Sequence, residues 1–251
     1  MNMRELISVI MPTYNSEKTV AESINSIKAQ TYENWELLIT DDCSTDRTWD
    51  IISSYAAQDK RIKIYKNNEN AGAGFSRNNS IANASGRFIA FLDSDDLWLP
   101  EKLSKQLRFM LNNNYHFVYS CYQKIDESGN KKGVISPPLY TNYNKTLYTN
   151  VIGCLTAMYD SHEIGKLYMP LIRRRQDLGL WLNIMNKKDG AYCYPEVLAY
   201  YRIGNSTLSS NKIKAIRYQW MFYREVARLS LLRSSICFVA YAASGFIKYI
   251  K

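Results

Sequence analysis

The stretch Phe88-Ile89-Ala90-Phe91-Leu92-Asp93-Ser94-Asp95-Asp96 decides the reading of this chain. Five apolar residues, too few for a helix and without period-2 alternation, run into three carboxylates, the pattern of a strand buried on both faces that empties into a polar site. Asp93 and Asp95 stand two apart, so in extended backbone they project to one side, where two oxygen ligands can meet one hard cation such as Mg²⁺ or Mn²⁺. Such a cation would offset the repulsion between the carboxylates and present positive charge to a phosphate. The plainer alternative is capping: Leu97-Trp98-Leu99-Pro100-Glu101 reads as the start of a helix with proline near its first turn, and Asp95 or Asp96 can cap it.

Working outward, residues 6–94 alternate strand and helix. Strand runs fall at 6–11, ended by Pro12, at 35–39, at 61–65 with an edge-like alternation, and at 88–92. Between them, Val20, Ile24 and Ile27 share one helix face, Thr48, Ile51, Ile52 and Tyr55 another, and a third helix follows Gly72 to about residue 83. This alternation predicts an α/β fold with a mostly parallel central sheet flanked by helices. Three strands end in polar clusters, Thr13-Tyr14-Asn15, Asp41-Asp42 and Asp93-Ser94-Asp95. In a doubly wound sheet those ends lie along one edge, where nucleotides bind. Each cluster alone reads as a turn or cap, but three on one edge favour a site. The Gly72-Ala73-Gly74 segment is no dinucleotide fingerprint, because Arg77 stands at the third glycine and the segment follows the third strand. Arg77 can instead reach the nucleotide edge or stand solvated.

Beyond the motif, residues 100–112 form an amphipathic helix with Leu103, Leu107 and Leu111 inward, 115–122 a strand and 126–130 a turn. Residues 134–155 have weak periodicity and read as loops. Arg173-Arg174-Arg175-Gln176-Asp177 precedes an apolar-periodic helix (Leu178, Trp181, Leu182, Met185), placing Asp177 near a helix N-terminus, as a cap or as a working carboxylate. A strand at 196–202 leads into a polar loop at 203–210. From residue 212 the chain is basic and aromatic, with Glu225 its only acid, so it reads either as a helical segment lying on an anionic membrane surface or as one packed on the body.

The 251 residues, 46% hydrophobic and 22% charged, are globular in composition, and the net charge of +9 suits nucleic acid, anionic lipid or phosphorylated small molecules alike. Five scattered cysteines without a Cys-x-x-Cys pair, and only two histidines, argue against a disulfide framework or structural zinc and for a reducing compartment. No signal peptide is read at the N-terminus, and no apolar run reaches the roughly 20 residues of a spanning helix.

Taken together, Ser8-Val9-Ile10-Met11-Pro12-Thr13-Tyr14-Asn15, residues 40–46, Gly74-Phe75-Ser76-Arg77-Asn78, Phe91 to Asp96 and Gln176-Asp177 resemble the family-2 inverting glycosyltransferases of the GT-A fold that build bacterial surface polysaccharides. The resemblance implies a nucleotide-sugar half at 1–98 and an acceptor half at 99–210, with a basic helical tail at 211–251. It implies that Thr13, Tyr14 and Glu17 lie against the base and ribose of a uridine nucleotide, with Asp42 and Arg77 beside them. Asp93-Ser94-Asp95 corresponds to the Asp-x-Asp motif, Asp93 and Asp95 holding Mn²⁺ or Mg²⁺, and Asp177 falls where the family keeps its catalytic base. Gln176 replaces the family's usual Glu, and the loop after Arg202 lacks the His that many members carry.

The implied reaction moves a hexose, glucose or galactose, from a UDP-sugar to a sugar on undecaprenyl pyrophosphate in O-antigen assembly. It would take place peripherally at the cytoplasmic face of the inner membrane, with no nucleic-acid partner and with homo-oligomerisation open. Two rivals stand beside it. A sugar nucleotidyltransferase should carry a Gly-rich basic loop after the first strand, where this chain has Pro12-Thr13-Tyr14-Asn15; a non-catalytic nucleotide or nucleic-acid binder would not line its site with carboxylates that repel phosphate.

Overall fold

Residues 7–13, 35–41 and 88–91 are buried along their whole length, which is why they lack polar alternation. Successive side chains enter two different cores. Val9, Met11, Leu37 and Ile39 face Val20, Ile24, Ile27 and Ile52 on one side; Ile10, Leu38 and Phe91 face Ile81, Leu180 and Trp181 on the other. Full burial of each such aliphatic contributes about 1.5–3 kcal/mol, so the two layers grip the sheet from both faces.

The computed structural model describes residues 4–188, 190–204 and 212–250, with side chains for 4–188, 190–204 and 217–241. Most of the polar loop expected at 203–210, and the tail side chains at 212–216 and 242–251, lie outside the described residues. The first half runs β1 (Ile7–Thr13), α1 (Val20–Lys28), β2 (Trp35–Asp41), α2 (Thr48–Gln58), β3 (Ile62–Lys66), α3 (Ala73–Asn83), β4 (Phe88–Phe91) and β5 (Leu97–Trp98). The second runs α4 (Lys102–Asn113), β6 (Phe117–Ile125), β7 (Lys131–Ile135), β8 (Tyr140–Thr141), α5 (Tyr143–Tyr148), a 3₁₀ turn (Cys154–Thr156), β9 (Met158–Asp160), α6 (Ser161–Ile164), α7 (Gln176–Lys187) and β10 (Ala191–Arg202). After these come α8 (Lys212–Met221), a π-helical turn (Phe222–Val226) and α9 (Leu231–Ile250).

Among the described residues all ten strands join one sheet, with the order β3-β2-β1-β4-β9-β6-β10-β5 and with β7 on β6 and β8 on β10. β1 to β4 pair in parallel and β6 with β10 likewise, while β9 is antiparallel to both β4 and β6, so β1, β2, β3, β4, β6 and β10 all point the same way. The expected mixed α/β, mostly parallel architecture is therefore present.

Pro12 does not end β1. Ile10 accepts from the Leu92 amide at 3.1 Å, so Pro12, two residues on, turns its nitrogen the same way, past the last β1–β4 pair at Ile10–Phe91. A missing N–H is tolerated there. Leu97-Trp98 is an antiparallel strand on β10 and not a helix start, since α4 begins only at Lys102. The 134–155 region holds β7, β8, α5 and the 3₁₀ turn where loops were expected. β10 begins at Ala191, five residues before the predicted strand, and shifts register between Tyr194 and Val197, where Pro195 cannot donate to the ladder.

The tail's first part packs on the body. Phe222, Tyr223, Leu229 and Cys237 are buried with Leu147, Leu178 and Leu182, and the Tyr223 hydroxyl donates to the Leu147 carbonyl at 2.6 Å. On the opposite side of α9, Leu231, Leu232, Ile236 and Val239 are exposed. Among the described residues no helix is long and apolar enough to cross a membrane.

Candidate active site

Because β2, β1 and β4 are neighbours and parallel, their C-terminal ends deliver Asp41-Asp42, Thr13-Tyr14 and Asp93-Ser94-Asp95 to one rim. All of these except Asp41 border a cleft of about 840 Å³, which Arg202 and Gly204 reach from the end of β10. Thr13, Tyr14, Glu17, Asp42, Arg77, Asp93, Ser94 and Asp95 all line it; Asp177 does not.

The loops after β1 and β2 are laced together. Asn15, in left-handed conformation, accepts from the Thr45 amide (2.9 Å) and donates its own amide to Ser44 Oγ (3.0 Å). Glu17 accepts from the Arg47 amide at 3.1 Å, so its carboxylate fastens the start of α2 as well as facing the cleft. Tyr14 stands 49% exposed on the lip, offering a ring face. Thr13 Oγ1 is buried in the cleft wall without a hydrogen-bond partner, a polar atom shaped for a ligand.

Asp42 is more fully engaged than the sequence suggested. Its Oδ1 accepts from Asn67 Nδ2 (2.7 Å) and the Ala71 amide (2.9 Å), and its Oδ2 accepts from the Gly72 amide (2.7 Å). These bonds anchor the loop that starts α3, on which Arg77 rides. Gly72 has φ 88°, a conformation glycine adopts freely.

Arg77 links the rim carboxylate Asp93 to α7. Buried, it pairs with Asp93 at 2.5 Å and reaches Gln176 Oε1 at 3.4 Å, while its Nε has no partner. Burial works against its charge, but Asp93 and Asp177 outweigh that and hold the guanidinium above its ordinary pKa. Gln176 is oriented by donating to the Ile172 carbonyl at 2.7 Å, and its side chain lies against Gly74, where an added Cβ would come within 3.1 Å.

Ser94 Oγ lies 2.8 Å from Ser16 Oγ, joining the motif turn to the β1 loop. Asp95 opens to the cleft's water yet is walled by protein, and this enclosure together with Asp93 pushes its carboxyl up to about 6. Asp96 points away from the cleft, accepting the Arg202 amide at 2.9 Å; burial and its two acidic neighbours hold it well above the usual carboxylate range.

Among the described residues no cluster of three or more His, Cys, Asp or Glu could hold a metal alone. Two carboxylates two residues apart on the rim of a cleft with room for a diphosphate nevertheless fit Mg²⁺ or Mn²⁺, ions that keep waters and take substrate phosphate oxygens into their shell.

Asp177 sits half-buried in the first turn of α7, near Arg77 and outside the residues that line the cleft, with Asn150 Nδ2 donating to it at 3.3 Å. Burial raises its carboxyl, and Arg77 and Arg175 only partly offset this. The helix is set against the sheet by Trp181, whose ring meets Phe91 edge-on at 5.4 Å and Phe117 at 5.2 Å. Since Phe91 is two residues before Asp93, one packing contact aligns the strand that leads to Asp93-Ser94-Asp95 with the Asp177 helix. Sequence reasoning did not single out Arg202 for the site; its only signal was its place at the end of a strand pattern.

The mostly parallel sheet, with its cleft at the strand ends, has the GT-A fold. Solved structures agree on the fold: TarS 1–349 of S. aureus in complex with UDP-GlcNAc (TM-score 0.72, 22% identity, covering 94% of this chain and 71% of that one). The mannosyltransferase PcManGT of Pyrobaculum calidifontis, solved with GDP-Man and Mn²⁺, gives TM-score 0.72 at 17% identity over 96% and 74% of the two chains.

The chain belongs to glycosyl transferase family 2, whose model matches residues 8–164. It is 41% identical, over 98% of both chains, to TuaG of Bacillus subtilis (strain 168), a glycosyltransferase provisionally named for teichuronic acid biosynthesis. It is also 41% identical, over 86% of this chain and 84% of the other, to the Escherichia coli UDP-Glc:α-D-GlcNAc-diphosphoundecaprenol β-1,3-glucosyltransferase WfgD.

Proposed function

We propose that the chain transfers a hexose, glucose or galactose, from a UDP-sugar to a sugar on undecaprenyl pyrophosphate, with inversion, during assembly of a surface polysaccharide. The observation that carries the reading is the Asp93–Arg77–Gln176 chain of contacts, which joins the donor-side carboxylates to the helix of Asp177. Its likeness to WfgD, whose name gives a UDP-Glc donor and a β-linked product, favours glucose and inversion.

In this mechanism Tyr14 stacks against the base and Thr13 Oγ1 meets a polar atom of the nucleoside. Asp95, with Asp93, would supply oxygens to Mg²⁺ or Mn²⁺. When bound, that ion contributes positive charge facing the leaving diphosphate. Asp177, half-buried next to the cleft lining, accepts the acceptor hydroxyl's proton as the hydroxyl oxygen attacks the anomeric carbon on the face opposite UDP, so the acceptor must enter from the α7 side of the donor. The bond between the anomeric carbon and the diphosphate oxygen breaks, and UDP leaves with its electron pair. A carboxyl raised by burial suits a general base better than a solvated one. Gln176, neutral where a carboxylate would be, leaves Arg77's charge directed at Asp93 and Asp177.

The exposed apolar face of α9, on a tail with one acid among many basic residues, would rest on an anionic membrane surface on the cytoplasmic side. The test is transfer of radiolabelled glucose or galactose from UDP to a GlcNAc-pyrophosphate-lipid, with and without chelator. Transfer of either sugar that chelator abolishes supports the reading, and no transfer with any UDP-hexose overturns it.

A further inference from the structure

Arg202, the last residue of β10, makes four hydrogen bonds to three other parts of the fold. Its amide donates to Asp96 Oδ1 (2.9 Å) and its Nε to the Asp95 carbonyl (2.9 Å). Its Nη1 donates to the carbonyl of Glu127, in the turn between β6 and β7 (3.1 Å), and its Nη2 to Glu22 Oε2 on α1 (2.6 Å). The side chain is only 9% exposed although Glu22 is 59% exposed. Glu22, Glu127 and Arg202 border both the main cleft and an adjoining cavity of about 200 Å³, so the Arg202–Glu22 pair forms the wall between them.

The turn that carries Asp95 has few other ties on this side. Ser94 is joined to Ser16, and Ser23 Oγ donates to the Asp96 carbonyl at 2.8 Å, but the Asp95 carbonyl itself is met by Arg202. Three planar guanidinium nitrogens used in three directions fix the group's position and orientation together, which a lysine ammonium on a flexible stem reproduces only in part.

We propose that Arg202 is a positioning residue for the donor site. By pinning the motif turn to β10, to the β6–β7 turn and to α1, it sets where the Asp95 carboxylate stands in the cleft, and so how well a cation and a UDP diphosphate are held. The inference rests on the reading of Asp95 as a cation ligand. Groups that orient metal ligands from behind are commonly worth 10–100-fold in metal affinity, which sets the expected size.

The experiment is calorimetric titration of UDP into the full chain across a series of Mn²⁺ concentrations, for wild type, Arg202→Met and Arg202→Lys, with thermal melts of each. In Arg202→Met the Mn²⁺ concentration needed for half-maximal UDP binding should rise at least about 10-fold. The donor KM should rise with it while the acceptor KM stays within about twofold, a split that general loosening would not produce. Arg202→Lys should recover part of the loss, and it serves as the comparison if Arg202→Met does not fold. Wild-type Mn²⁺ dependence that survives unchanged in both variants overturns this inference alone. UDP binding by wild type that ignores Mn²⁺ overturns the reading of Asp95, and this inference with it.

Discussion

Replacing Asp42 by Asn tests whether this carboxylate holds the loop that carries Arg77 to the rim. The Asp42 oxygens accept from Asn67 Nδ2, the Ala71 amide and the Gly72 amide at 2.7–2.9 Å, in a site 3% exposed. An amide has one accepting oxygen. Placed where Oδ1 stands, it keeps two of the bonds without their charge and turns an NH₂ toward the Gly72 N–H, so two donors face each other. Hydrogen bonds to a charged group contribute about 1.5–3 kcal/mol each, so losing one outright and weakening two should cost about 3 kcal/mol. A domain stable by about 5–15 kcal/mol stays folded after such a loss. Denaturant unfolding followed by circular dichroism measures the difference, and UDP titration should show weaker binding because α3 no longer starts from a fixed point. A cost below about 1 kcal/mol with unchanged UDP affinity would refute the reasoning and leave the loop held by its other contacts.

Three further outcomes follow from the same geometry. Asp177→Asn should keep UDP affinity within about twofold and lower kcat about 10²–10⁴-fold. Wild-type kcat/KM should fall as pH drops through a value above the ordinary carboxylate range; because the folded value is raised, the group favours folding at low pH and loses that contribution as pH rises through it, so Asp177→Asn should melt higher at neutral pH. Lys102 is fully buried, with Nζ 2.7 Å from Gln106 Oε1 and 4.0 Å from the Trp98 ring centroid, and burial lowers its pKa to about 7. The folded state therefore binds this proton less tightly, and stability relative to Lys102→Met should decline by about 1.4 kcal/mol per pH unit as pH falls from 10 toward 7, measured by urea unfolding at several pH values. Leu232→Ser with Val239→Ser should weaken sedimentation with anionic liposomes, and unchanged binding would remove α9 as the membrane-facing element.

The parallel strands β1, β2 and β4 were readable because a strand buried on both faces must be apolar throughout, and their acidic ends had to fall on one rim. β5 and β9, two and three residues long, carry no period at all. β7 is exposed along most of its length and so shows no apolar face. Leu97-Trp98 misled because Pro100 is as compatible with the turn after an edge strand as with a helix start.

At the site, sequence picked out Thr13, Tyr14, Glu17, Asp42, Arg77 and Asp93 to Asp95, which border the cleft, but not how their charges are spent. Asp42 and Glu17 also fasten backbone amides, and Asp93 is tied to Arg77. Arg202 could not be found from pattern, since its partners lie on three segments distant in the chain, Glu22, Asp95-Asp96 and Glu127.

The account's centre is that Asp95 helps hold a divalent ion against a nucleotide diphosphate. Equilibrium binding of a fluorescent UDP analogue, with Mn²⁺ present or removed by EDTA, addresses it in wild type and Asp95→Ala. The account predicts at least about 10-fold tighter binding with Mn²⁺ in wild type and loss of that gain in Asp95→Ala. A Mn²⁺ gain retained by Asp95→Ala, or absent from wild type, would contradict it.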